Sequence, residues 1–194
     1  MTEKEKARLG KLYDANYDME LLEERKKAKI LCYEFNNLSP LEDGRGKDIL
    51  KNLLGRTKNS FTITSPFYCD YGYNIKLGEN FYSNHNLVIL DGADVVFGDN
   101  VFIAPNCCIT TAGHPLDVEQ RNLGLEYAYP IKIGNNVWIG ANVTILPGVT
   151  IGDDVVIGAG SVVNKDIPKR VIAVGNPCKI LREITEEDRD KYLK

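Results

Sequence analysis

From Ile133 onward, an aliphatic residue recurs at every sixth position. The stretch divides into IGNNVW, IGANVT, ILPGVT, IGDDVV, IGAGSV and VNKDIP, so Ile133, Ile139, Ile145, Ile151, Ile157 and Val163 open successive hexads. Glycine follows at positions 134, 140, 152 and 158, and the fifth position is Val137, Val143, Val149, Val155, Ser161 or Ile167. A helix cannot use this period, because six residues advance about 600° and the apolar positions would spiral around its surface. A strand alternates with period two, and six is a multiple of two. The pattern therefore predicts a short strand, a corner and another short strand. Its β-branched side chains point inward, and Gly or Asn at the corners takes up unusual backbone angles. Three sides close one coil of 18 residues, so 133–168 forms two coils of a parallel β-helix. Stacking buries an aliphatic column that no single coil could bury alone.

The same phase continues upstream less regularly. Phe97, Ile103 and Ile109 open FGDNVF, IAPNCC and ITTAGH, and before them Tyr71, Leu77, Ser83 and Ile89 keep the spacing of six. A slip of two between Ile89 and Phe97 predicts a widened corner around Asp91-Gly92. The repeat is lost over 113–130, although Ile109 and Ile133 stay four sixes apart; this stretch is expected to be a loop pushed out from one corner. Long excursions from a regular scaffold often carry function.

The first residues follow helical periods instead. Thr2 and Glu5 have capping-box spacing for a short helix ending near Gly10. A second helix is expected from Asp18, with Leu21, Leu22, Ala28, Leu31, Cys32 and Phe35 on its apolar face. A third is expected to start at Ser39-Pro40, with Ile49, Leu50, Leu53 and Leu54 buried, and Thr185 is expected to cap a last one. The organisation read from these patterns is a helical region over 1–58, a β-helix over 59–183 with its excursion at 113–130, and a C-terminal helix over 184–194.

Composition narrows the function classes. A net charge of −3 and a pI near 5.5 give no basic excess for nucleic acid. No stretch has the ~18 apolar residues that span a bilayer, and the charged N-terminus has no signal-peptide core. A cytoplasmic location is expected. The five cysteines are scattered and odd in number, which reads as free thiols in a reducing compartment, and none has zinc-site spacing.

Candidate chemistry is sparse, with two histidines, His85 and His114. His114 stands where the repeat breaks into the excursion, whereas His85 lies inside a hexad. A neutral imidazole suits removal of a proton from a hydroxyl as that oxygen attacks a thioester; the bland alternative is a loop histidine capping a corner. Asn84 and Asp91 precede that corner by about one coil, with Asn84 expected to stack on Phe102. They could orient an acceptor, or simply form corners, where Asn and Asp are common. Lys165, Lys179 and Arg182 form a basic group suited to phosphate, or an ordinary solvated surface. Trp138 at a corner reads as packing against a neighbouring subunit.

Several of these segments together resemble the galactoside and maltose O-acetyltransferases of the hexapeptide-repeat acyltransferase superfamily. The segments are Tyr33-Glu34-Phe35-Asn36, Asp70-Tyr71-Gly72-Tyr73-Asn74-Ile75, Ile103-Ala104-Pro105-Asn106, Gly113-His114-Pro115, Ile133 to Gly140, and Gly158-Ala159-Gly160-Ser161 with Lys165-Asp166-Ile167-Pro168. The resemblance implies a mainly β fold, a left-handed parallel β-helix, assembled as a homotrimer with active sites between subunits. It implies acetyl-CoA as co-substrate, a sugar hydroxyl as acceptor, and no metal. Residue by residue, it makes His114 the general base and assigns Asp70, Tyr82, Asn84, Asp91 and Glu126 to the acceptor. Ala141 becomes the oxyanion donor through its N–H, and Ala159, Lys165, Lys179 and Arg182 fall on the CoA side. Relatives place an acidic residue in the acceptor pocket where Asp14, Asn16 and Asp18 stand here, and Gly92 replaces an acid found in some of them. The alternatives are another hydroxyl acceptor (an antibiotic or serine), a zinc carbonic anhydrase of the same fold, which needs three histidines, and a purely structural trimer.

Overall fold

The computed structural model describes residues 1–192, with the side chain of residue 43 excepted. Its body is a parallel β-solenoid of three sheets. The sheets have four, five and seven strands, and apart from the last strand of the seven-stranded sheet every pairing within them is parallel. From Lys132 to Thr150, and from Trp138 to Val156, one coil takes 18 residues, as the hexads predict. The inward column is fully enclosed: Ile139, Ile145, Ile157 and Val163 are each 0% exposed. Each such side chain contributes about 1.5–3 kcal/mol of hydrophobic stabilisation.

The first coils are longer. Phe61 pairs with Phe81 and Tyr82 with Phe102, a coil of 20 residues, so Phe102 stacks on Tyr82 and not on Asn84. The extra residues sit at one corner, between the five- and four-stranded sheets. Cys69 to Leu77 and Ile89 to Phe97 each span eight residues where six would do, and Ile109 to Ile133 spans twenty-four. Tyr71 therefore does not open a hexad: it lies in the widened corner, within a second apolar cluster that includes Tyr13, Ala15, Leu21 and Ala93.

At the corner leading into the seven-stranded sheet, Asn80, Asn100, Asn136 and Asp154 all adopt positive φ. Asn tolerates that region better than other side chains with a Cβ. Their side chains form a ladder: Asn80 Nδ2 donates to Asn100 at 3.1 Å, Asn100 to Asn136 at 3.0 Å, and Asn136 to Asp154 Oδ1 at 2.8 Å.

Helix α1 (Glu3–Arg8) carries the expected capping box on Thr2, and α2 (Met19–Asn36) is capped by Asp18. Leu21, Ala28, Cys32 and Phe35 are buried along α2, but Leu22 is 37% exposed and does not join that face. Helix α3 (Asp43–Leu53) starts four residues later than expected, because Ser39 to Glu42 close a turn of their own: Glu42 N–H donates to the Ser39 carbonyl at 2.9 Å. The excursion is not a plain loop. It holds a short helix, α4 (Val118–Asn122), and a strand, Leu125–Ala128, which lies between Tyr13–Asp14 and Ala112–Gly113 in an antiparallel three-stranded sheet. The C-terminal tail forms only a single turn, α5 (Glu187–Asp190), whose N-cap is Glu186 in place of Thr185. The remainder of the helix expected over 184–194 falls partly on 193–194, outside the described residues.

Candidate active site

The widened corner builds a pocket. Its two short insertions bring in Asp70-Tyr71 and the Asp91 segment, and its long excursion brings in His114 and Glu126. The cavity has a volume of about 340 Å³ and is lined by His114, Glu126, Asp70, Tyr71, Tyr13 and Arg25, with Leu90, Thr110, Ala112 and Gly113. Gly113 is required next to His114, because a Cβ there would collide with the Tyr127 ring across the sheet.

The geometry at His114 fixes its tautomer. Nδ1 lies 2.9 Å from the Leu125 carbonyl oxygen, which can only accept, so Nδ1 carries the proton. Nε2 is left with its lone pair free, 3.9 Å from Glu126 Oε1. The imidazole is half exposed, while Glu126 is only 16% exposed, with its other oxygen accepting from Tyr13 O–H at 3.2 Å. Burial pushes the Tyr13 phenol far above its usual range, and the Glu126 charge adds to this, so Tyr13 remains a donor. The set can accept a proton at Nε2 and hold the resulting positive charge beside a carboxylate.

Two further carboxyls lie on the pocket floor. Asp70 faces the cavity, and burial raises its pKa against the opposing pull of Arg25. Asp91 does not reach the cavity: it is 0% exposed, and its Oδ1 accepts from the N–H groups of Asp70 at 3.1 Å and Tyr71 at 2.9 Å. Its Oδ2 is buried without a partner, and burial pushes its pKa up to about 7. Asp91 therefore shapes the floor by holding the backbone that presents Asp70.

The remaining expected residues are elsewhere on the chain. Tyr82 is on the outer face of the seven-stranded sheet, and Asn84 is at the next corner, where its N–H donates to the Ile103 carbonyl at 2.8 Å. Ala141 and Ala159 stack on that same corner; among the described residues no acceptor is recorded for either N–H, while the Ala141 carbonyl accepts from Gly160 at 2.8 Å. Lys165 is on the His114 corner two coils further along, and it is exposed. Lys179 and Arg182 lie on the exposed strand Lys179–Glu183, opposite Val174 and Ile172, so the three cations do not form one cluster. Arg182 is already engaged by Asp188 in a two-pronged ion pair at 2.7 and 2.6 Å. Arg25, Tyr13 and Tyr71 are pocket residues that the sequence did not flag.

Such a solenoid, with unsatisfied amides on one corner and a histidine on an excursion, defines a hexapeptide-repeat transferase. The comparisons with known proteins narrow this. Residues 130–165 match the family described as "Bacterial transferase hexapeptide (six repeats)", and residues 6–58 match "Maltose acetyltransferase hexapeptide capping motif". The galactoside O-acetyltransferase of Escherichia coli (strain K12) is 46% identical over 190 residues, 98% of this chain and 93% of that protein. The crystal structure of a maltose O-acetyltransferase from Clostridium difficile 630 superimposes with a TM-score of 0.93 at 51% identity, covering 96% of this chain and 99% of that one. A galactoside acetyltransferase in complex with coenzyme A gives a TM-score of 0.93 at 45% identity, covering 100% and 96%. The chain belongs to the galactoside and maltose O-acetyltransferase family of hexapeptide-repeat acetyltransferases. It is an acetyltransferase of that type, with acetyl-CoA as co-substrate. Among the described residues no helix is long and apolar enough to cross a membrane.

Proposed function

We propose that the protein transfers acetyl from acetyl-CoA to a sugar hydroxyl, with His114 as general base. The observation that carries this reading is the free Nε2 lone pair of His114, aimed into a polar pocket beside Glu126. The hydroxyl attacks the acetyl carbonyl carbon as Nε2 takes its proton. Glu126, anchored by Tyr13, holds the imidazolium that forms, and that imidazolium then returns the proton to the departing thiolate sulfur. Asp70 and Arg25 offer an acceptor and a donor to neighbouring hydroxyls, the mixed set a polyol needs.

The thioester side belongs to the other corner. Ala141 N–H is available to donate to the developing oxyanion, and Ala159 N–H lies one coil along to hold the CoA arm. Exposed Lys165 and Lys179, together with Arg182, fit the phosphates. Since His114 and Ala141 are on different corners of one chain, the working site pairs the His114 corner with a neighbouring subunit's Ala141 corner, and with Asn84 and Tyr82 beside it. A homotrimer is the assembly proposed. In support, the outer face of the seven-stranded sheet carries an apolar ladder in register, with Phe102, Trp138, Val156 and Ile172, and Phe102 and Trp138 are about half exposed on the single chain. Five unpaired thiols fit a reducing, cytoplasmic setting.

The test is thiol release from acetyl-CoA against galactosides, maltose, glucose, serine and aminoglycosides. Saturable turnover fastest with a sugar supports the reading. Turnover confined to serine or an aminoglycoside would replace the acceptor class, and none with any sugar would overturn it.

A further inference from the structure

Cys32 and Cys69 face each other across the seam between α2 and the solenoid. Their sulfurs are 3.8 Å apart, and both side chains are buried, at 3% and 6% exposed. The seam is already rigid: Asn36 clamps Phe67 by donating to its carbonyl at 2.9 Å and accepting from its N–H at 2.8 Å. Neither thiol takes part in the acetyl transfer, yet each adjoins the pocket. Cys69 immediately precedes Asp70. Cys32 is seven residues after Arg25, two helical turns along the same face of α2. Both neighbours line the cavity that holds His114.

We propose that Cys32 and Cys69 are a peroxide-oxidisable pair, closing to a disulfide that ties α2 to the floor of the acceptor pocket. The Cys69 S–H directed at the Cys32 sulfur holds the Cys32 thiol below its ordinary range, which makes Cys32 the nucleophile. Cys32 thiolate attacks one oxygen of hydrogen peroxide, the O–O bond breaks, and water leaves with the thiol proton, giving a sulfenic acid. The Cys69 sulfur then attacks the Cys32 sulfur, the S–O bond breaks, and hydroxide departs with the Cys69 proton as a second water. Two thiols and one peroxide yield one disulfide and two waters. Burial keeps bulky thiols and disulfides out and favours a small neutral oxidant. Closing the sulfurs to about 2.05 Å moves α2 and the strand together, which displaces Arg25 and Asp70 relative to His114.

The test begins with the native protein treated with hydrogen peroxide, alkylated and digested. The expected product is a Cys32–Cys69 linked peptide and an intact mass lower by about two protons' worth, reversed by dithiothreitol and absent from Cys32→Ala and Cys69→Ala. Oxidation found only at Cys107, Cys108 or Cys178, or as sulfinic acid at Cys32, would overturn the proposal. This readout needs no acetyl transfer, so it stands apart from the proposed activity. The second arm rests on that activity: the oxidised protein is expected to show an acceptor KM raised several-fold with acetyl-CoA KM unchanged. An unchanged acceptor KM in protein proven to carry the disulfide would overturn the link to the pocket.

Discussion

Replacing Asp91 with Asn isolates the cost of burying a carboxyl beneath the acceptor pocket. Asp91 is fully enclosed, and its Oδ2 has no partner. Burial, opposed by the Tyr71 N–H and reinforced by the Asp70 charge, pushes its pKa from 3.8 up to about 7. In the unfolded chain this group ionises near its ordinary value, so between about pH 4 and 7 the unfolded state gives up a proton that the folded state keeps. Stability at this position is therefore full at low pH and falls as pH rises to about 7, the reverse of a salt-bridged carboxylate. The interval corresponds to about 4 kcal/mol as an upper figure, at about 1.4 kcal/mol per pH unit, and local relaxation lowers it. Asn keeps the Oδ1 acceptor for the Asp70 and Tyr71 N–H groups but cannot ionise. It leaves its own N–H₂ buried, a cost of about 1–3 kcal/mol that does not vary with pH. Urea unfolding of both proteins from pH 4 to 8, at one protein concentration, should show Asp91→Asn gaining about 2–4 kcal/mol relative to the wild type across that range. A difference that stays flat with pH, or one that slopes the other way, would refute the reasoning.

Three further outcomes follow from the same contacts. Glu126→Gln should lower kcat by roughly 10–100-fold with acetyl-CoA KM unchanged, and Tyr13→Phe should give a smaller loss, both read by steady-state thiol release. Asn136→Ala breaks two rungs of the amide ladder and places a Cβ-bearing residue at positive φ. It should cost about 2–3 kcal/mol in urea unfolding, whereas Asn136→Gly, which relieves the φ, should cost about 1 kcal/mol. Gly55→Ala should fail to give folded protein in a solubility and circular-dichroism comparison, because its Cβ would overlap the Tyr73 carbonyl.

The solenoid was legible because its signal is local and repeated. Ile133 to Ile167 alternate inward at a period that only a three-sided coil satisfies, and the break after Gly113 marks the corner that carries the site. What escaped the sequence depends on contacts between distant segments. Tyr13 meets Glu126 across 113 positions, with no period or motif to announce it. Arg25 reads as one charge among many on α2 until the helix is packed against the solenoid. The strand Leu125–Ala128 is short, and it is defined by its two partners more than by its own pattern. Asp91 looked like a corner residue facing an acceptor. Its burial follows from the two-residue widening of both early coils, which also moved the stacking partner of Phe102 from Asn84 to Tyr82. Lys165, Lys179 and Arg182 are near in sequence, but the reversal at the end of the solenoid separates them.

The central claim is that His114 removes the acceptor proton. Only two histidines are present, so His85→Ala serves as an internal control for His114→Ala. Turnover of acetyl-CoA with the best sugar acceptor, measured beside CoA binding by calorimetry, should fall by ~10²–10⁴-fold in His114→Ala with CoA affinity within about twofold, while His85→Ala keeps most of its rate. A His114→Ala protein that binds CoA normally and retains most of its turnover would contradict the account.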